Sequence, residues 1–320
     1  MDYILIAAGL ACLFAGGEAL VRGSVATAHK LGVSPLLIGL TLVGFGTSAP
    51  ELVTSVAAAF AGSPGIAVGN VVGSNIANIL LILGLTAVIV PIVTSRDAIY
   101  RDGLALIIAS LACLGIVLTG FANQVHGIVL IVLLGVYLAY TIYREQRVQD
   151  PASDLHRAET EIAEPGPQRL PTALALALAG LVLTVLGAKL LVSGAIALAE
   201  SAGLSETLIG LTIVAVGTSL PELSASIVAA VRRQTDLALG NILGSNLFNT
   251  LGILGITAIV HPLEIPVEIA RFDIWVMLAA TAAMLAFALT GGRLCRWEGG
   301  GLLAGYFAYL AWTCREVFAA

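Results

Sequence analysis

Two eight-residue segments place a glutamate, a proline, a serine and a threonine inside stretches that are otherwise apolar. The first is Gly-Phe-Gly-Thr-Ser-Ala-Pro-Glu at 44–51, and the second is Ala-Val-Gly-Thr-Ser-Leu-Pro-Glu at 215–222. In each segment the threonine and the glutamate are four residues apart, hence on one face of a helix. Carboxylates and hydroxyls are hard oxygen ligands, which suit calcium, sodium or magnesium. The two segments therefore predict a cation site.

The proline of each segment affects the backbone. Pro50 and Pro221 lack an N–H and clash with the carbonyl group four residues back, on Gly46 and Gly217. We expect each helix to break or kink there and to leave carbonyl oxygens unpaired. Inside a membrane such oxygens persist only where protein or a watery cavity surrounds them, so we expect them to face the same place as the acids.

Two further segments add amides and hydroxyls. Gly-Asn-Val-Val-Gly-Ser-Asn-Ile-Ala-Asn occupies 69–78, and Gly-Asn-Ile-Leu-Gly-Ser-Asn-Leu-Phe-Asn occupies 240–249. In each, the last asparagine shares a helical face with the serine four residues before it. No Cys–His cluster accompanies these oxygens, so zinc or copper chemistry is not indicated. Four asparagines lie off that face and either tie helices together or line the ion path: Asn70, Asn75, Asn241 and Asn246.

A carboxylate inside a membrane is costly, and two that face each other are worse unless a cation or a proton joins them. One divalent cation neutralises the pair. The alternative is that each glutamate is protonated or only hydrogen-bonded between helices. The recurrence of the whole set of residues at one fixed offset favours the cation site.

The composition requires a membrane. The 320 residues are 58% hydrophobic and 11% charged, with a mean hydropathy of +1.00, which excludes a soluble domain. The chain starts directly in an apolar segment, which we expect to be a retained span rather than a cleaved signal. Because a span needs about 20 apolar residues, we predict an all-α polytopic membrane protein. Its ten transmembrane helices are expected at about 3–28, 35–60, 66–90, 98–119, 124–143, 172–199, 206–230, 237–260, 270–290 and 299–318.

The two halves of the chain are repeats. A shift of 171 residues aligns 34–52 with 205–223 at 13 of 19 positions, and 69–91 with 240–262 at 13 of 23. Five spans per half is an odd number, so the second half enters the membrane from the opposite side, as in many secondary transporters. We therefore predict two inverted five-helix repeats, 1–143 and 172–320, which contain the motif regions 39–84 and 210–255. A charged, proline-rich cytoplasmic linker, 144–171, joins them.

Lysine and arginine predict the orientation. With the N-terminus outside, eleven basic residues fall on the inner side and two on the outer side. This bias places both termini outside and the linker in the cytoplasm. The outer residues are Arg271 and Arg315; the inner ones are Lys30, Arg96, Arg101, Arg144, Arg147, Arg157, Arg169, Arg232, Arg233, Arg293 and Arg296.

The paired motifs point to a family. GTSAPE with GSNIAN, and GTSLPE with GSNLFN, resemble the two alpha-repeats of the prokaryotic-type sodium/calcium exchanger family, in the cation/calcium antiporter superfamily. The resemblance implies spans 2, 3, 7 and 8 around a central site, with spans 1 and 6 as a sliding pair. It implies a plasma (inner) membrane antiporter, not an enzyme, that exchanges calcium for sodium by alternating access. It also implies the ion ligands: Thr47, Ser48, Glu51, Ser74, Asn78, Thr218, Ser219, Glu222, Ser245 and Asn249, with the backbone oxygens of Gly44 and Ala215 for sodium.

Several alternatives stay open. Asn249 is aspartate in some prokaryotic exchangers and in potassium-dependent relatives, so the asparagine here resembles the potassium-independent type. A proton/calcium antiporter of the same superfamily would use the glutamates to exchange protons. A cation channel is less favoured, because inverted halves around enclosed acids suit alternating access. We expect no cofactor, no nucleic acid and no obligate protein partner; the partners are calcium and sodium ions and the lipid bilayer.

Charged residues outside the motifs allow two further expectations. Glu18 and Lys189 occupy equivalent positions in spans 1 and 6. They either pair with each other across the repeats, or Glu18 pairs with Arg22 one helical turn on. Asp97, Asp102, Glu268 and Asp273 lie near the starts of spans 4 and 9, where we expect acids to cap the helices rather than to attract ions.

Overall fold

The computed structural model describes residues 2–93, 96–147, 169–201 and 217–319. These residues form long helices and four two-residue strands. The strands are β1 (Ile92–Val93), β2 (Phe121–Ala122), β3 (Leu263–Glu264) and β4 (Arg293–Leu294). The helices are α1 (Asp2–Leu31), α2 (Pro35–Thr47), α3 (Ala49–Phe60), α4 (Pro64–Ile89), α5 (Arg96–Thr119), α6 (Gln124–Arg147), α7 (Leu170–Ser201), α8 (Leu220–Val231), α9 (Thr235–Val260), α10 (Ile269–Gly291) and α11 (Arg296–Ala319).

The described helices are those of a membrane protein. Seven of them are long and apolar enough to cross a membrane, and α2 with α3 makes an eighth when that bent pair is one span. Large apolar side chains point outward: Phe14, Val53 and Leu118 are 71%, 68% and 61% exposed. Glutamates, asparagines and serines lie in the interior instead. Because only lipid solvates such an exterior, the chain is a multi-pass membrane protein.

The helices next to the linker are longer than the apolar pattern predicts. Residues 144–147 continue α6, and residues 170–171 begin α7. Helical residues thus occupy both ends of the predicted linker, and its bounds at 144 and 171 stay a prediction. A helix can extend past the apolar layer with residues such as arginine and glutamate, which favour helix and are solvated by water. Residues 148–168 lie outside the described part of the chain.

Helices α1 and α7 pack antiparallel along their length. Their contact surface carries a glycine every seven residues. A Cβ atom on Gly16 would lie 2.6 Å from the backbone nitrogen of Thr184, and one on Gly187 would lie 2.7 Å from the backbone nitrogen of Leu13. No larger residue fits there, so the two backbones are in direct contact. The glycines are Gly9, Gly16 and Gly23 on α1 and Gly180 and Gly187 on α7.

The two halves of the chain interlock. Strand β1 pairs antiparallel with β4, and β2 pairs antiparallel with β3; the 171-residue shift relates β1 to β3. Helix α6 packs on α9, and α11 packs on α4. At these contacts a Cβ atom on Gly127 would lie 2.5 Å from the carbonyl oxygen of Gly255, and one on Gly84 would lie 3.0 Å from that of Gly299. Each half thus supplies the strand and the helix that complete the other.

Helices α4 and α9 contain π-helical turns at nearly equivalent places, Asn78–Leu83 and Phe248–Ile253. Such turns are frequent at functional sites, because they interrupt the regular hydrogen bonding of the helix. Asn78 is the first residue of one turn, and Asn249 is the second residue of the other. Two amides that the sequence predicts as ligands therefore lie where the backbone is irregular.

Glu18 is bound by arginine, not by lysine. Its carboxylate accepts a hydrogen bond from Arg22 Nε at 2.5 Å. It also accepts one from Nε of Arg232 at 2.9 Å and another from the same guanidinium group. Lys189 is exposed on α7. The predicted pairing of Glu18 with Arg22 is confirmed, and the pairing with Lys189 is wrong.

Asp102 does not cap a helix. It is fully buried within α5, where it accepts two hydrogen bonds from Arg101, at 2.7 and 2.9 Å, and one from the hydroxyl of Tyr137 at 3.1 Å. Asp273 precedes the α-helical part of α10 without a side-chain cap bond and accepts a hydrogen bond from Tyr309 at 3.0 Å. The capping expectation is therefore wrong for both side chains. Buried carboxylates need such partners to offset their lost hydration.

Candidate ion-binding site

The first glutamate of the site follows a break in the helix. Helix α2 ends at Thr47, α3 begins at Ala49, and the two axes differ by 43°. Ser48, between them, has φ −82° and ψ 7°. Pro50 lies in the first turn of α3, where its missing N–H removes no helical hydrogen bond. The predicted break is confirmed, and it places Glu51 in the first turn of α3.

The carbonyl group of Gly44, just before the break, has hydrogen-bond partners. The Gly44 oxygen accepts hydrogen bonds from Ser48 N at 3.2 Å and from Ser245 Oγ at 3.1 Å. The backbone oxygen that the family resemblance assigns to sodium therefore has two hydrogen-bond donors in this structure. The bond from Ser245 also brings α9, in the second half, against α2, in the first.

The second glutamate repeats this arrangement. Pro221 and Glu222 lie in the first turn of α8, and Ser219 before them has φ −90° and ψ 6°, nearly the values of Ser48. Residues 202–216 lie outside the described part of the chain. Ala215, predicted to offer a backbone oxygen, is among them.

The two acids meet in the interior of the molecule. Glu51 and Glu222 are each 1% exposed, and they interact electrostatically with each other. Ser48 Oγ donates a hydrogen bond to Glu222 Oε1 at 2.8 Å. A serine of the first half thus binds the acid of the second, so the two sequence motifs form one site.

Most other polar atoms of this site have no hydrogen-bond partner among the described residues. They are both carboxylate oxygens of Glu51, Oε2 of Glu222, Oγ of Ser219, Oδ1 of Asn78 and both polar atoms of Asn249. None of these residues is more than 3% exposed. Buried polar atoms are nearly always paired, and an unpaired buried carboxylate is costly. The oxygens among these atoms are therefore suited to bind a cation.

The π-helical turns bring the two amides to the acids. The turn that begins with Asn78 packs against α8, which carries Glu222, and the turn that contains Asn249 packs against α3, which carries Glu51. Each amide is thus supplied by the half that does not supply the neighbouring acid. Of the twelve predicted ligand residues, eleven are described. Thr218 is partly buried, and the other ten are buried: Gly44, Thr47, Ser48, Glu51, Ser74, Asn78, Ser219, Glu222, Ser245 and Asn249.

Sequence reasoning missed a serine beside each acid. Asn70 Nδ2 donates to the carbonyl oxygen of Glu51 at 3.1 Å and to Ser55 Oγ at 2.9 Å. The signal for Ser55 was present: it follows the glutamate by four residues, and the 171-residue shift places it on a second serine, Ser226.

The second half has the same pair of bonds. Asn241 Nδ2 donates to the carbonyl oxygen of Glu222 at 3.2 Å and to Ser226 Oγ at 2.9 Å. Both asparagines therefore tie the helix that carries the acid to its neighbour. Tying helices together is the first of the two roles expected for the asparagines that do not share a helical face with the serine.

The other two such asparagines join α4 to α9. Asn75 Nδ2 donates to Thr250 Oγ1 at 2.7 Å, and Asn246 Oδ1 accepts from Asn78 Nδ2 at 3.5 Å. Thr250 was also missed. Its equivalent in the first half is Ile79, so the repeat gives no signal for it.

The ligand set differs from that of a zinc centre. In the described part of the chain, no group of three or more His, Cys, Asp and Glu side chains could hold a metal ion. The site instead combines two carboxylates with hydroxyl and amide oxygens. Such all-oxygen sets fit hard cations, among them calcium and sodium.

Comparison with known proteins agrees with this chemistry. The family model described as sodium/calcium exchanger protein matches residues 1–143 and 172–315. Antiporter CaxA, as it is named in Alkalimonas amylolytica, is 38% identical over 96% of each chain. Sodium/calcium exchanger MaX1 of Methanosarcina acetivorans is 34% identical over 97% of each chain. A solved structure of the sodium-calcium exchanger NCX_Mj superposes with a TM-score of 0.83 and 32% identity, over 97% of this chain and 98% of that one.

Proposed function

The chain belongs to the sodium/calcium exchanger protein family, and from that premise we propose that it exchanges calcium for sodium across the membrane by alternating access. One observation carries the proposal. Glu51 and Glu222, each 1% exposed, lie in the first turns of the equivalent helices α3 and α8, and three of their four carboxylate oxygens lack a partner among the described residues. One calcium ion, or sodium ions in its place, neutralises this pair.

The proposed ligands are the residues that surround the pair. Glu51 and Glu222 supply the charge, and the hydroxyl and amide side chains complete the shell. The backbone oxygens of Gly44 and Ala215 serve sodium. Burial of the described members and their unpaired oxygens support this assignment. The side-chain ligands besides the acids are Thr47, Ser48, Ser74, Asn78, Thr218, Ser219, Ser245 and Asn249.

The protein exchanges one ion for the other because the empty site is high in free energy. Without a cation, two buried carboxylates face each other unpaired, which opposes passage of the empty site through a closed state. Calcium and sodium compete for the same oxygens, so one replaces the other and leak is disfavoured. Helices α1 and α7 are proposed to slide as one unit past the site, because their backbones are in contact along a shared seam. Ser224 of α8 donates to the Leu13 carbonyl of α1 at 2.7 Å, beside the site.

Two inverted repeats with ten transmembrane helices form the proposed architecture. The reciprocal pairing of β1 with β4 and β2 with β3 supports it, as does the reciprocal packing of α6 on α9 and α11 on α4. In an inverted repeat, elements related by the sequence shift exchange partners in this way. A plasma-membrane location is proposed from the family, and the basic residues support an orientation with both termini outside.

Exchange is proposed to be independent of potassium. Asn249 lies where some relatives carry aspartate, so this site has two charged ligands rather than three. Asn249 is 1% exposed, and both of its polar atoms lack partners in the described part of the chain. This supports a neutral ligand that faces the cation. Calcium uptake that rises when potassium alone is added would contradict the proposal.

Calcium flux into proteoliposomes tests the function. Sodium, potassium and proton gradients are imposed one at a time on the purified protein. A sodium gradient is expected to drive calcium uptake, and the other two are not. Uptake driven by a proton gradient alone would identify a proton/calcium antiporter instead, and single-channel currents in planar bilayers would identify a channel.

A further inference from the structure

We propose that Asn241 is a positioning residue that fixes Glu222 and Thr47 relative to each other across the two halves of the site, and so sets the affinity for cations. The inference rests on the proposed function, since it concerns the same site. Asn241 lies outside the set of ligands that the sequence motifs imply, and it is 1% exposed.

The side chain of Asn241, on α9, contacts two other helices at once. From α9, its Nδ2 donates to the Glu222 carbonyl at 3.2 Å and to Ser226 Oγ at 2.9 Å, both on α8. Its Oδ1 lies 3.3 Å from Thr47 Oγ1, at the end of α2 in the first half. One amide group therefore links the first turn of the helix that carries an acid to the broken helix of the opposite half.

The orientation of this amide is determined by its partners. An amide nitrogen has two hydrogens to donate, and here two acceptors lie within reach of it. A flipped amide would place its oxygen against the Glu222 carbonyl oxygen. The observed orientation avoids that repulsion and turns Oδ1 toward Thr47. Oδ1 is consequently a fixed acceptor at the edge of the site.

Thr47 has several acceptors and one hydrogen. Its Oγ1 lies 3.0 Å from the Val43 carbonyl oxygen and 3.4 Å from that of Gly44. An acceptor on α9 biases which way the hydroxyl hydrogen turns, and thus where its lone pairs point. The Gly44 oxygen already accepts from Ser245 at 3.1 Å. When the Thr47 hydroxyl donates its hydrogen to Asn241 Oδ1, the lone pairs of Thr47 Oγ1 stay available. They can then bind a cation that lies beside the Gly44 oxygen.

Substitution of Asn241 by alanine tests this role. Because the lost hydrogen bonds orient both Glu222 and Thr47, the variant is expected to raise the sodium and calcium concentrations for half-maximal exchange about tenfold. The measurements are flux in proteoliposomes and calcium titration calorimetry of the purified protein. Thr257→Val is the matched control, because Thr257 is a buried threonine of α9 that bonds only within its helix in the contacts described, to the Ile253 carbonyl at 2.7 Å. Its ion dependence is expected to equal that of the wild type.

A double-mutant cycle separates positioning from a merely structural role. If Asn241 acts through Thr47, Asn241→Ala in a Thr47→Val background is expected to weaken sodium binding by less than it does in the wild type. Additive effects on the sodium dependence, or a lowered melting temperature with unchanged ion dependence, would overturn the inference. A wild-type protein that shows no sodium-driven calcium flux would instead overturn the proposed function.

A second variant covers the case in which Asn241→Ala does not fold. Ser226→Ala keeps the amide and removes one of its acceptors, and Ser55→Ala removes the equivalent acceptor of Asn70. Ser226→Ala is expected to raise the half-maximal sodium concentration about threefold, less than the loss of the whole amide. An unchanged sodium dependence in Ser226→Ala would also count against the inference.

Discussion

The two halves of the site carry nearly the same residues but make different hydrogen bonds. On one side, Ser48 donates to Glu222 at 2.8 Å. On the other side, Ser219 and both carboxylate oxygens of Glu51 lack hydrogen-bond partners among the described residues. The sequence shift relates Ser48 to Ser219 and Glu222 to Glu51, so the difference does not come from residue type.

This difference shows that a repeated sequence can place two equal acids in unequal states. Glu222 is held by a neutral donor before any cation binds. The hydroxyls of Ser219 and Thr218 approach Glu51, but no hydrogen bond forms to its oxygens among the described residues, so its desolvation is offset less fully until an ion is bound. We infer that Glu222 is the preorganised carboxylate and Glu51 is the one whose state depends on the ion.

Removal of either charge is expected to have the largest effect. Glu51→Gln and Glu222→Gln should each lower calcium exchange about 100-fold or more, because a buried charge partner contributes several kcal/mol. In ion-free buffer, Glu51→Gln should also raise the melting temperature more than Glu222→Gln, since it removes the carboxylate that has no partner. Flux in proteoliposomes and differential scanning calorimetry measure the two effects.

An acid away from the site provides the control for these variants. Glu264 lies on β3 and is exposed, so Glu264→Gln should keep the exchange rate and the melting temperature of the wild type. Wild-type exchange in either site variant would refute the ligand assignment. Greater stabilisation by Glu222→Gln than by Glu51→Gln would reverse the comparison between the two acids.

Substitution of Ser48 and of Ser219 should reveal the same difference between the two halves, with a smaller effect on exchange than loss of an acid. Ser48→Ala removes the bond to Glu222, and a hydrogen bond to a charged group contributes about 1.5–3 kcal/mol, so calcium affinity should fall about tenfold or more. It should also lower the melting temperature of the ion-free protein. Ser219→Ala breaks no described hydrogen bond, so its melting temperature should stay close to that of the wild type. Equal destabilisation by the two alanines would argue that the halves are equivalent in solution.

Adding a carboxylate to either half of the site also tests the difference between Glu51 and Glu222. Asn249→Asp places a third carboxylate beside Glu51, and Asn78→Asp places one near Glu222. One calcium ion cannot neutralise three carboxylates, so exchange by either variant should increase several-fold when potassium is added, while the wild type should not respond. The increase should be larger for Asn249→Asp, because no hydrogen bond to Glu51 in the described contacts offsets the repulsion. Flux measured with and without potassium decides this, and a wild type that responds to potassium would count against the proposed two-charge site.

Much of the fold was accessible from the sequence because the relevant signals are local or repeated. Apolar runs predicted the seven or eight apolar spans of the described residues, and the position of Pro50 predicted the break before Glu51. Each motif occurs twice, 171 residues apart, so the buried acids and amides could be identified from their repeated spacing. The hydrogen bond between Ser48 and Glu222 was not accessible, since Ser219 and Glu51 offer the same atoms. Only the packing of the two halves distinguishes them.

The incorrect expectations have a common physical cause. Asp102 was expected to cap a helix, but α5 begins at Arg96, and packing of α6 brings Tyr137 to the acid. One of two alternatives paired Glu18 with Lys189 across the repeats, but Arg232 binds it together with Arg22 instead. The position equivalent to Arg232 in the first half is Ala61, so the repeat gave no warning. Contacts between distant helices decided both cases, and neither local pattern nor periodicity encodes them.

The pair formed by Glu18 and Arg232 is a difference between the two halves that lies outside the site. Removal of this pair should have the smallest effect on exchange. Lys189 and Ala61 hold the equivalent positions and cannot form such a pair. The side chains of Arg232 and Glu18 are 41% and 22% exposed, and partly exposed pairs contribute at most about 1 kcal/mol. Arg232→Ala should therefore change the maximal exchange rate by less than about fivefold, and Glu18→Gln should do the same.

The direction of this last effect distinguishes a contact between moving helices from a contact within the site. Glu18 lies on α1 and Arg232 just beyond α8, so sliding of α1 past the site would break the pair in each cycle. Its loss should then change the maximal rate and leave the calcium concentration for half-maximal exchange unchanged, and exchange of the two charges, Glu18→Arg with Arg232→Glu, should restore the rate. A changed half-maximal concentration with an unchanged rate would place the pair in the binding equilibrium. In that case the difference between the two halves would extend from the acids to the C-terminal end of α8.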